Sequence, residues 1–119
     1  MEDLDYIDSD YLDPMFSLDS FDGLQQEQID AFVVFCCATT AMRSGAKMYF
    51  EWFSEQRELL YPALEKIGNT ELRNLVSNFE NTTLSEEEDV NFHKQLDPQE
   101  LYHKTLRYAH NNLEKFKLT

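Results

Sequence analysis

The chain has 119 residues, 42% of them apolar and 13% aromatic, which is enough for one modest core and too much for a fully disordered polymer even with 28% charged residues. Its formal net charge is -13, and the charge is lopsided: residues 1 to 30 hold ten acids and no Lys or Arg, whereas the other 89 carry 13 acids and 10 bases. This distribution disfavours direct binding to nucleic acid or to an anionic membrane and points to a basic partner.

Residues 1 to 23 interleave aspartates with large apolar groups, among them Leu4, Tyr6, Ile7, Tyr11, Leu12, Met15, Phe16, Leu18 and Phe21. The pattern is neither a clean strand nor a clean helix, and Asp13-Pro14 interrupts any helical turn, so a mobile arm with short helical pieces is expected. From Leu24 the pattern becomes periodic. Ile29, Phe32, Val33, Cys36, Cys37 and Thr40 follow one helical face, and Ser44-Gly45 turns the chain. Met48, Tyr49, Phe50, Trp52 and Phe53 start an aromatic-rich segment that suits either core packing or a homodimer contact.

A third stripe, Leu60, Ala63, Leu64 and Ile67, places Pro62 in a first turn and closes at Gly68-Asn69. Leu72, Leu75, Val76 and Phe79 form the next helix. Ser85 and Glu88 have capping-box spacing and open a short acidic turn or helix. Asp97-Pro98-Gln99-Glu100 is a strong helix start, with Tyr102, Leu106, Ala109, Leu113 and Phe116 on the buried face and Lys115 and Lys117 near the negative pole of the dipole. No alternating strand pair appears. The expected fold is therefore all-α, a single small helical bundle of about five helices (residues 24–119) with an acidic, partly disordered N-terminal arm (residues 1–23).

No apolar run approaches membrane-spanning length and the N-terminus lacks a basic and apolar leader, so a cytoplasmic protein is expected. Cys36 and Cys37 are adjacent in an apolar stripe, where a mutual disulfide is strained and buried thiols are ordinary. The sequon Asn81-Thr82-Thr83 has no role in such a compartment.

Residue types that carry chemistry do not converge. His93, His103 and His110 have no Cys or His at zinc-site spacing, and nothing in the sequence pairs a His with either thiol. Asp8 to Asp13 begins like a calcium loop, but Leu12 and Asp13 occupy the positions of a ligand and of the required glycine. Gly23, Gly45 and Gly68 are isolated turn residues and not a phosphate loop. Trp52 and its aromatic neighbours lack the basic groove that a base-stacking platform needs. The expectation is a non-catalytic protein with no metal and no cofactor.

The candidate partner-binding residues are acidic and aromatic: Asp3, Asp5, Asp8, Asp10, Asp13, Asp19 and Asp22, with Tyr6, Tyr11, Phe16 and Phe21 between them, and secondarily Glu86, Glu87, Glu88 and Asp89. In an extended arm, at about 3.3 Å per residue, the carboxylates fall several ångströms apart, on the scale of single-strand phosphates. The aromatics would stand where bases or sugars stand. Plainer readings are a solvating tail for residues 1–22 and a favourable helix N-terminus for Glu86 to Asp89.

From about Leu24 to Phe116 the chain resembles the small acidic helical family of bacterial DNA-mimic proteins. Arg43-Ser44-Gly45 stands at the family's Asn-Gly-Gly turn and is followed by the aromatic pair Tyr49-Phe50. Ala63-Leu64-Glu65-Lys66-Ile67-Gly68 matches an Ala-Leu-x-x-Ile-Gly stretch. Leu96-Asp97, Tyr102, Tyr108, Asn112 and Phe116 match the closing segment. The turn keeps one glycine, and Met48 and Trp52 replace polar amides. The resemblance implies an all-helical domain, able to form a homodimer, whose acidic surface imitates duplex DNA and occupies a basic DNA- or RNA-binding protein. A different class of function is an interaction module encoded by a phage or bacterium, an immunity or anti-defence inhibitor, that anchors mainly through Tyr6, Tyr11, Phe16 and Phe21.

Overall fold

A computed structural model describes residues 4–18, 20–80 and 85–116, with the side chains of Asp5, Ala46, Glu80 and Asp89 outside the description. Asp3, Asp19, Lys117 and the sequon Asn81-Thr82-Thr83 therefore lie outside the described residues. The described residues form helices and short helical turns, without strands, as the periodicity requires. In chain order they form α1 (Asp5–Ile7), a π-type turn (Asp8–Leu12), a 3-10 turn (Asp13–Ser17), α2 (Gln26–Ser44), α3 (Ala46–Trp52), a 3-10 turn (Ser54–Gln56), α4 (Arg57–Ile67), α5 (Thr70–Glu80), α6 (Glu86–Leu96), α7 (Pro98–Asn111) and a final 3-10 turn (Leu113–Lys115).

Helix α2 is the axis of the bundle. A single amphipathic face is expected from its sequence, yet every residue from Asp30 to Ala38 is buried, along with Gln28, Thr40 and Ala41. A helix that is apolar on nearly all sides must be covered on all sides. Helices α3, α4 and α7 pack directly on it, α5 packs on α4, and α6 packs on α5. Gly45 ends α2 at φ +92°, a conformation that few other residues adopt.

The local stop and start signals act where the sequence places them. Asn69 Oδ1 accepts from the Leu72 N–H at 2.8 Å and so caps α5. Gly68 is needed for close approach, because a Cβ there would meet Leu72 Cδ2 at 2.6 Å and the Leu64 carbonyl oxygen at 2.9 Å. Ser85 Oγ accepts from the Glu88 N–H at 3.3 Å while Glu88 Oε1 accepts from the Ser85 N–H at 3.3 Å, closing the capping box. Asp97 serves two helices: it ends α6 in the left-handed region at φ 47°, and its carboxylate accepts from the Glu100 N–H at 3.3 Å to begin α7.

Some expected boundaries shift. Pro62 is not in a first turn, because α4 already starts at Arg57; the ring is exposed and the helix passes through it. The loss of one N–H donor is tolerated there because Leu60, Ala63, Leu64 and Ile67 bury the opposite face. Helix α7 stops at Asn111, and Leu113 belongs to a following 3-10 turn that tucks Phe116 into the core. Trp52, expected in the core, is 56% exposed. The buried face of α3 is set by Tyr49, which contacts Phe50 and stacks on Phe53 with ring centroids 5.6 Å apart, while Trp52, the last residue of the helix, stays outside the core cluster.

The N-terminal residues depart from the expectation of a mobile arm. The short helical pieces are present, but they are docked. Ile7, Leu12 and Met15 are fully buried against the bundle, chiefly on α7 and α2. The reason is the incomplete cover of α2, whose remaining side needs apolar groups that the bundle helices do not supply. Leu12→Ala should therefore lower unfolding free energy by about 3 kcal/mol in denaturant titration. A free arm would give a change within about 0.5 kcal/mol.

Candidate partner-binding site

The docked N-terminal segment divides its acids into two kinds. Ile7, Leu12 and Met15 take the inward positions, while Asp10, Asp13 and Asp22 are exposed. Asp8 is turned inward enough to accept a 2.6 Å hydrogen bond from the Tyr102 hydroxyl on α7. It fastens the segment to the bundle and is not available to a partner in this arrangement. The backbone is helical where the extended spacing was expected, so Asp10 and Asp13 are separated by one helical turn and not by three extended residues. Asp5 lies on α1, and its side chain is outside the description.

The aromatic residues divide similarly. Tyr11 packs edge-on against Phe116 with centroids 6.4 Å apart, and Phe21 packs edge-on against Phe32 at 5.9 Å; both are half-buried. They hold the segment in place. Tyr6, 39% exposed, contacts Tyr11 at 6.3 Å, and its hydroxyl lies 3.2 Å from His110 Nδ1. Phe16 touches the rings of Phe32 at 4.9 Å and Phe35 at 6.0 Å, yet it remains 48% exposed.

The second acidic run sits elsewhere. Glu86, Glu87 and Glu88 are exposed in the first turn of α6, where they favour the positive pole of that helix, and Asp89 follows with its side chain undescribed. Helix α6 packs on α5, whereas the N-terminal segment packs on α7 and α2. Glu88 is already occupied in the capping box.

An apolar groove that sequence reasoning missed lies beside the segment. It has a volume of about 330 Å³ and is formed by Phe16, Leu18 and Phe21 on one side and by Phe53, Glu55 and Leu59 on the other. Leu18 and Leu59 are 41% and 37% exposed. Leu59 falls outside the buried stripe of α4 and Leu18 ends the 3-10 turn, so neither shows a periodic signal; only the tertiary arrangement joins them.

Inside the bundle the polar groups are spent on packing. Asp30, 1% exposed, accepts from Lys66 Nζ at 3.1 Å and from Gln26 Nε2 at 2.8 Å, and so ties α2 to α4. Lys115 pairs with Glu27 at 3.3 Å. Tyr49 donates to Gln56 Oε1 at 3.1 Å, and Gln56 Nε2 lies 3.9 Å from Cys36 Sγ. Burial pushes both thiols up from 9.0 to about 12, opposed at Cys36 by the Gln56 contact. Such thiols are the reverse of activated nucleophiles, which need a depressed value. Burial, with Asp30 and Glu27 adding to it, likewise raises Tyr108 to about 12.

Among the described residues no group of three or more His, Cys, Asp or Glu side chains is placed to hold a metal ion, and no helix is long and apolar enough to cross a membrane. The chain matches no protein-family model, no curated protein and no solved structure. The arrangement therefore has to be interpreted from its own geometry, which is a fixed acidic surface next to an apolar groove.

The raised thiols fix the sign of an alkaline effect. The unfolded chain loses these protons near pH 9 and the folded chain only near 12, so above pH 9 the unfolded state binds fewer protons and stability falls as pH rises through that window. The denaturation midpoint is expected to drop steadily between pH 9 and about 11. A thiol reagent at pH 8 should label Cys36 and Cys37 only after denaturant is added; rapid labelling of the folded protein would contradict their burial.

Proposed function

We propose that this chain is a non-catalytic acidic protein that occupies the nucleic-acid groove of a basic DNA- or RNA-binding protein, inhibiting or regulating it by mimicking DNA. The observation that carries this reading is the N-terminal surface: Asp10, Asp13 and Asp22 are exposed, no described residue forms an ion pair with them, and residues 1–30 contain no base. Solubility alone does not call for such one-sidedness. Docking supports the reading further, because carboxylates held on a folded surface lose little freedom when a partner binds. Long-range attraction then drives encounter, and affinity falls as salt is added.

A second reading, an immunity or anti-defence module held mainly by hydrophobic anchors, is favoured by the exposure of Phe16 and Tyr6. Tyr11 and Phe21 are committed to contacts within the chain, which leaves two of the four expected anchors for a partner.

Deleting the segment is a poor test, since it would also strip Ile7, Leu12 and Met15 from the core. The decisive variant is Asp10→Asn, Asp13→Asn, Asp22→Asn, with Phe16→Ala as the contrast. On immobilised protein, capture of nucleic-acid-binding proteins from lysate should fall at least about tenfold in the triple variant at low salt, and added DNA should compete. Unchanged capture by the triple variant in dilute buffer, with large loss from Phe16→Ala and little salt dependence, would transfer the conclusion to the second reading.

A further inference from the structure

The groove between the N-terminal segment and the start of α4 has an unusual surround. Its walls are apolar, with Phe16, Leu18, Phe21, Phe53 and Leu59 side chains, and its polar members include Glu55. Exposed acids flank the lining residues along the chain: Asp13 before Met15, Asp22 after Phe21, Glu51 before Phe53 and Glu58 before Leu59. Arg57 is the one base within the α4 stretch of the groove, and it is engaged in an interaction of its own. Half-exposed Phe16, Leu18 and Leu59 thus sit in a predominantly negative setting.

We infer that this groove is a docking site for an amphipathic basic helix of the protein partner, with one or two Leu, Ile or Phe side chains inserted between Phe16, Leu18 and Leu59 and flanking Lys or Arg facing the surrounding acids. The inference rests on the basic partner proposed above and adds how that partner is gripped. Charge complementarity selects the occupant, because an acidic segment would meet Glu55 in the lining and the exposed acids next to the lining residues in sequence, such as Glu58 beside Leu59. The described residues contain no strand, so an added strand finds no sheet edge to pair with and a helix seated by its side chains is the mode that fits. A volume of about 330 Å³ accommodates anchoring side chains and not a whole helix, which leaves the cationic flanks at the rim.

The test uses the full chain and a fluorescein-labelled synthetic amphipathic helix of Leu and Lys, read by fluorescence anisotropy, alongside a scrambled peptide of the same composition without a common Leu face. Leu18→Gln with Leu59→Gln changes two partly exposed side chains, and circular dichroism with a thermal melt confirms that the variant folds. That variant should bind the ordered peptide about tenfold more weakly, and Glu55→Gln with Glu58→Gln about threefold more weakly. Glu86→Gln with Glu87→Gln, on α6, should leave binding as it is. Equal binding of the scrambled peptide overturns the proposal, as does undiminished binding by the Leu variant or an equal loss from the α6 variant. The two proposals separate cleanly: if the triple Asp variant loses DNA-competed capture while the Leu variant keeps peptide affinity, the groove is wrong and DNA mimicry stands. The opposite pair of results sustains the groove and removes the mimicry.

Discussion

The fold depends on the burial of α2 from every direction. Asp30 to Ala38 form a continuous buried stretch, so no single partner helix can satisfy it. Helices α3, α4 and α7 cover most of its circumference, and the N-terminal segment supplies the rest through Ile7, Leu12 and Met15. The hydrophobic effect is roughly proportional to apolar area removed from water, and an open side of α2 would leave Phe32, Phe35 and their neighbours in solvent. The most acidic part of the chain thereby contributes apolar side chains to the core.

Among the described residues of this segment Ile7, Leu12 and Met15 point inward, Asp10, Asp13 and Asp22 are among the exposed positions, and aromatic residues bridge the two by laying their rings over α2 and the closing turn. Asp8 shows the compromise most clearly, because its carboxylate is used to accept the Tyr102 hydroxyl on α7. Charge on this surface is presented by a rigid scaffold, which favours recognition of one geometry over nonspecific attraction. Asp30 acts in a related way at the edge of the core: its buried carboxylate is met by the half-exposed Lys66 ammonium, which ties α2 to α4.

Much of the architecture was legible in the sequence because it rests on local rules. The ends of α2 and α4, the capping box at Ser85 and Glu88, and the Asp97-Pro98 start are chemical signals contained within a few residues. What was not legible depended on tertiary cover. The pattern Ile29, Phe32, Val33, Cys36 reads as one face, and only the neighbours reveal that Val34, Phe35 and Ala38 are buried too. Trp52 carries the apolar character of a core residue and is excluded by the direction in which Tyr49 and Phe53 point. The exposed acids were visible as composition, whereas Leu59 and Glu55 gain significance only by lining one groove with Leu18 and Phe21.

The contacts that fix the N-terminal segment join residues very far apart in the chain, Asp8 with Tyr102 across 94 positions and Tyr6 with His110 across 104. Closing a loop of that length costs more chain entropy than pairing neighbouring helices, and such closures slow folding. The N-terminal segment is thus tied directly to the final helix, so loss of α7 would remove its anchors at Tyr102 and His110.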